Sequence, residues 1–102
     1  MTNQVYDNTK LLCRALENDY KESYKDSNLQ YIYTIEEGNK YLKVIMNTGN
    51  QLSVHCFVDM ITGDLYKAAS WKAPAKGIRG NLITELNEIL HRCNWNGSYL
   101  YK

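Results

Sequence analysis

The sequence predicts an α+β fold: an antiparallel meander sheet of four to five strands, with an N-terminal helix and a C-terminal helix packed on one face. Three observations carry this. Apolar residues recur at helical spacing near both ends of the chain. Between them lie four runs in which apolar and polar residues alternate. The runs are joined by turns too short to connect parallel strands. The order is α-β-β-β-β-α, and SYLYK at the C-terminus can supply a last short strand. Residues 1–102 read as one domain of ordinary size.

The first helix is expected from Thr2 to about Tyr24. Val5, Leu12, Ala15, Leu16 and Tyr20 form one apolar stripe, and Glu17 with Lys21 makes a favourable i,i+4 pair. Ser27-Asn28 ends the pattern. In LQYIYTIE (29–36), Leu29, Tyr31, Tyr33 and Ile35 share a face. After the turn Glu37-Gly38-Asn39, the run KYLKVIMN (40–47) places Leu42, Val44 and Met46 together. The turn NTGN (47–50) leads into QLSVHCFVD (51–59), where Leu52, Val54, Cys56 and Val58 face one way and Ser53, His55, Phe57 and Asp59 the other. Thr62-Gly63-Asp64 returns the chain into LYKAAS (65–70). NLITELNEILHRCNWNG then reads as a second helix, with Asn81 as N-cap and Asn96-Gly97 as terminator.

Composition is that of an ordinary globular chain, with 44% hydrophobic and 23% charged residues. The nine tyrosines against one phenylalanine are unusual. Tyrosine suits half-buried sheet surface with its hydroxyl in water, so a wet sheet face or a contact surface is expected. The net charge of +1 favours neither strong nucleic-acid binding nor mimicry of nucleic acid. Between Leu65 and Thr84, however, Lys67, Lys72, Lys76 and Arg79 stand with no acidic residue among them. Three cysteines without a C-x-x-C pair, no signal-peptide pattern and no run near the ~20 apolar residues of a membrane span predict a reduced, soluble, cytoplasmic chain that does not enter a membrane.

No catalytic constellation emerges. His55 and Cys56 are strand neighbours and should point to opposite faces; His91 and Cys93 are turned apart on a helix. Asp59 and Asp64 flank a turn, the usual place for aspartate. The cysteines and histidines lack zinc-site spacing, and DMITGD (59–64) is too short for a calcium loop. KGIRGN (76–81) offers a weak anion-binding pattern before a helix start. The expectation is a non-enzymatic protein without a cofactor or a metal.

YKAASWKAPAKGIRGN (66–81) remains the candidate site. Its binding residues for a partner or an anion are Lys67, Trp71, Lys72, Lys76 and Arg79, stiffened by Pro74. The plainer reading is a solvated connection from sheet to helix, with Trp71 packed inward and Pro74, Gly77, Gly80 and Asn81 as backbone devices.

The segment VHCFVDMITGDLYKAASWKAPAKGIRGNL (54–82) resembles a stretch recurring in small, mostly uncharacterised bacteriophage-encoded proteins, VHCFVD-x-x-TGD-[IL]-YKAASWKAPAKG-x-RGN. The resemblance implies a phage or prophage origin and action in the cytoplasm of a bacterial host cell. It implies a protein that binds and modulates or inhibits a host factor, a CRISPR effector or other defence enzyme for example. The partner would then be a host protein, met through the tyrosine-bearing sheet face and the loop with Trp71 and Arg79. The alternative is a nucleic-acid or nucleotide-binding accessory protein that uses the basic loop 67–79. A tyrosine-rich edge strand also allows a homodimer.

Overall fold

A computed structural model describes residues 4–25 and 31–100. The elements are α1 (Gln4–Ser23), β1 (Ile32–Glu37), β2 (Tyr41–Asn47), β3 (Leu52–Asp59), β4 (Asp64–Ala68), β5 (Pro74–Asn81), α2 (Leu86–Arg92) and one 3-10 turn (Ser98–Leu100). The strands form one antiparallel sheet in the order β1-β2-β3-β4-β5. This is the expected α+β meander, with α2 packed on α1. Thr2, the turn Ser27-Asn28, the strand start Leu29-Gln30, and Tyr101 and Lys102 lie outside the described residues.

Both helices cover the same face of the sheet. The stripe Val5, Leu12, Cys13 and Leu16 of α1 meets Tyr33, Leu42, Val44, Cys56, Val58 and Leu65 of the strands, and Leu82, Ile89 and Leu100 close the core. Side-chain acceptors on α1 fix its position. Glu17 Oε2 accepts the Tyr33 N–H at 2.9 Å, and Asp19 Oδ2 accepts the Trp95 N–H at 2.9 Å. The buried Asn8 amide donates to the Leu82 carbonyl at 2.8 Å. These bonds satisfy backbone groups that the sheet ladder leaves over.

Three features depart from the sequence reading. The fifth strand is Pro74–Asn81, inside the segment expected to be a loop. It lacks alternation because it is an edge strand with two register shifts against β4. Pro74 is its first residue, where no ladder N–H is needed, and Gly77 at φ +100° occupies a shift that a side chain would strain. The second helix begins at Leu86, not at Asn81, which closes β5 instead. SYLYK forms the 3-10 turn rather than a strand, among its described residues.

The expected opposition of His55 and Cys56 also fails. Val44 pairs with Cys56 but Ile45 pairs with Val54, so His55 is the extra residue of a β-bulge. Its ring turns to the helix-covered side, edge-on to Tyr33 at 5.5 Å and with Nε2 2.8 Å from the Tyr99 hydroxyl. Alternation alone does not reveal a bulge, because one added residue resets the period.

Gly80 marks the closest approach of β5 to α2. A Cβ there would lie 2.9 Å from Ile89 Cδ1 and 3.1 Å from Arg92 Nη2. Ile89 is fully buried, and Arg92 Nη2 donates to the Arg79 carbonyl at 2.9 Å. Gly80→Ala is therefore expected to cost about 1–3 kcal/mol through overpacking, read as a lower urea midpoint.

Candidate binding face

Among the described residues both helices pack on one face of the sheet and leave the other, outer face without a helix. Residues opposed across strands share a face, so the ladder places Glu36, Lys43, Phe57, Tyr66 and Ile78 on it, from β1 to β5. Tyr41 packs edge-on against Phe57 at 6.0 Å and Tyr66 at 5.8 Å. Phe57 is 3% exposed although no helix lies over it, because these neighbours cover it. The outer face thus carries a small apolar cluster of its own.

Trp71 folds back onto this cluster from the β4–β5 hairpin. Lys43 Nζ lies 4.7 Å from its ring centroid and 5.9 Å from that of Phe57. Such cation–π contacts are worth about 0.5–1 kcal/mol at exposed sites. Trp71 remains 42% exposed, and Ile78 on β5 is 46% exposed. The hairpin is closed by Ala69 and Ser70 N–H groups donating to the Ala73 carbonyl. Trp71 is therefore neither packed into the core nor free in solvent; it stands on the sheet.

The five candidate residues are divided by the fold. Lys72 joins Lys40 and Lys43 around a groove of about 190 Å³ that Tyr41, Phe57, Glu36 and Asn39 also line. Lys40 lies 5.3 Å from the Tyr41 ring centroid. Glu36 offsets one of these charges, 3.8 Å from Lys43. Lys76 is exposed on the edge strand β5. Arg79 is half-buried at a register shift of the same strand, and its Nε is buried without a hydrogen-bond partner among the described residues. Lys67 pairs with Cys56 and so belongs to the opposite, helix-covered face. The basic loop is not one patch. Sequence reading missed Lys40 and Lys43, which are remote from the loop in sequence and meet it only through the sheet.

On the helix side Lys67 lines a cavity of about 250 Å³ with Ser53, His55, Trp95 and Asn96. Burial lowers the His55 pKa to about 4, so the imidazole is neutral at physiological pH. Burial also pushes the Cys13 thiol up to about 12, that of Cys93 up to about 11, and that of Cys56 well above its ordinary value. All three are protonated near pH 7, which makes them poor nucleophiles. Among the described residues no three His, Cys, Asp or Glu side chains are grouped so that they could hold a metal ion. No helix among them is long and apolar enough to cross a membrane.

The described tyrosines are not gathered on one face of the sheet. Tyr20 stacks on Tyr31 at 3.8 Å, and Trp95 meets both edge-on, so this group seals the helix side near the end of α1. Tyr33 and Tyr99 surround His55, Tyr24 joins the Tyr20 group, Tyr6 lies on α1, and Tyr41 and Tyr66 lie on the outer face.

No curated protein and no solved structure matches the chain. A family model does match, over residues 1–102, and its description is a family of unknown function, DUF7717. The chain belongs to that family, DUF7717.

Proposed function

We propose that this is a non-catalytic binding protein that docks on a partner protein through the outer face of its sheet. One observation carries the reading: the face that no helix covers carries Tyr41, Tyr66 and Ile78 across three strands, with Trp71 set over Lys43. Tryptophan and tyrosine are among the side chains that dominate interface energetics. The protonated thiols and the neutral, Tyr99-bonded His55 support a role without nucleophilic chemistry. The phage-type stretch at 54–82 makes a bacterial host factor, a defence nuclease for example, the partner class to test first, and the bacterial cytoplasm the place.

The groove edged by Lys40, Lys43 and Lys72 favours a second reading, a nucleic-acid or nucleotide site. It ranks lower for a geometric reason. Single-stranded nucleic acid needs open ring faces for stacking. Here Phe57 is covered, its neighbours meet edge-on, and Lys43 lies over the Trp71 ring.

Tagged chain expressed in a bacterial host should retain one protein stoichiometrically. Trp71→Ala should weaken that complex about 30-fold or more, the effect of losing an interface anchor of about 2 kcal/mol. A gel shift with short DNA and RNA tests the second reading. Salt-sensitive binding lost in a Lys40→Ala, Lys43→Ala, Lys72→Ala variant would favour it over the first.

A further inference from the structure

The two edges of the sheet are not alike. The β5 edge is broken by Pro74 and by two register shifts, devices that block pairing with another strand. The β1 edge has neither; it runs in unbroken register with β2 over six pairs, from Ile32 to Glu37. At the hairpin the Gly38 N–H donates to the Tyr41 carbonyl, towards β2. Alternation then turns the N–H and carbonyl groups of Tyr33, Ile35 and Glu37 outward. The Tyr33 N–H confirms the direction, since it donates to the Glu17 carboxylate on α1 rather than to β2.

Beside this edge α1 and β1 enclose a groove of about 400 Å³, lined by Tyr6, Lys10, Arg14, Glu17, Thr34 and Ile35 among others. Lys10 and Arg14 are exposed and one helical turn apart, so their charges lie along the groove. The negative group here, Glu17, is already occupied by the Tyr33 N–H. The helix wall of the groove is therefore basic over Lys10 and Arg14, while the acids of the strand, Glu36 and Glu37, lie at its hairpin end, Glu36 paired with Lys43.

We propose that this groove takes an extended acidic peptide segment, which adds to β1 as a sixth strand. Its backbone pairs with Ile35 and Glu37, and its carboxylates meet Lys10 and Arg14. Main-chain pairing of this kind supplies affinity while side-chain contacts supply selectivity. The Glu17 carboxylate occupies the place of a peptide carbonyl at Tyr33 and yields to one when the strand continues that far. A second copy of the chain fits less well. Each α1 lies chiefly over its own β1. Edge-to-edge pairing would set two such helices over strands ~4.8 Å apart, whereas packed helices need about 8–10 Å. This surface is separate from the outer face and stands or falls independently of it.

The test uses the full chain and three fluorescein-labelled octapeptides: one alternating threonine and glutamate, one with lysine for glutamate, and the acidic one N-methylated at alternate residues. Fluorescence anisotropy should show binding of the acidic peptide, with the basic and N-methylated peptides at least about tenfold weaker. Amide exchange at Ile35 and Glu37 should slow when the acidic peptide is added. A Lys10→Glu, Arg14→Glu variant, altered only at exposed positions, should lose the acidic peptide and gain the basic one. Equal binding of the N-methylated peptide, no preference between signs, or no binding at millimolar peptide would overturn the proposal. So would a β1-paired dimer in sedimentation.

Discussion

Asn81→Ala is expected to destabilise the fold by about 3 kcal/mol, more than a typical surface substitution. The Asn81 side chain makes four hydrogen bonds. Its Nδ2 donates to the Thr62 carbonyl at 2.8 Å and to Asp64 Oδ1 at 2.9 Å. Its Oδ1 accepts the Ile83 N–H at 2.8 Å and the Thr84 N–H at 2.9 Å. One side chain thus ties the β3–β4 turn to the end of β5 and to the chain entering α2. Each net bond is worth about 0.5–1.5 kcal/mol, and alanine removes all four. Asn81→Asp separates the two halves of the role. It keeps the acceptor for Ile83 and Thr84 but sets an anion against Asp64 and the Thr62 carbonyl, so it should also destabilise, and more above pH 5 than at pH 3. Urea unfolding reads both variants. A loss below about 0.5 kcal/mol for Asn81→Ala would show that water replaces these bonds without cost.

Lowering the pH from 7 to 4 should remove about 3 kcal/mol of stability through His55 alone. In the unfolded chain this histidine titrates near its ordinary 6.5, whereas burial lowers it to about 4 in the fold. The folded-state pKa is depressed, so the unfolded chain binds the proton first. Stability is complete above pH 6.5, falls through the window down to pH 4, and is not lowered further by this group below it. The measurement is the urea midpoint at several pH values for the native chain and for His55→Gln, which cannot titrate. Native and variant curves should diverge as pH falls from 6.5 to 4. Parallel curves would mean that His55 is protonated in the fold, with Tyr99 or the cavity accommodating the charge.

The same physics decides what the sequence discloses. α1, β1, β2 and most of β3 follow from periodicity, because each buries one stripe or one face and its apolar residues keep the period. The hairpin turns are equally legible. Asp59 accepts the Ile61 and Thr62 N–H groups, and Gly49 and Gly63 adopt positive φ. β5 is not legible, because an edge strand with two shifts presents a proline and two glycines in place of an alternating pattern. Asn81 has the right chemistry for a helix cap and does accept two N–H groups, but the turn it caps stops short of α2. The bulge at His55 is invisible for want of any residue that demands it.

The candidate site divides in the same way. Trp71 and Lys72 are singled out by their neighbours in sequence, and both meet the outer face. Lys67 is brought to the other face by strand alternation, through its pairing with Cys56. Lys40 and Lys43 join the face from the β1–β2 hairpin and β2, a relation set by register across the sheet and not by local sequence.

The outer face is most directly tested by site-specific photocrosslinking in a bacterial host. A benzophenone side chain would replace Ile78 on the outer face or, as control, Leu11, an exposed residue of α1. Irradiation should yield one discrete protein adduct from position 78 and none from position 11. Adducts equal at both positions, adducts from position 11 alone, or adducts at 78 that contain only nucleic acid would contradict a protein-binding outer face.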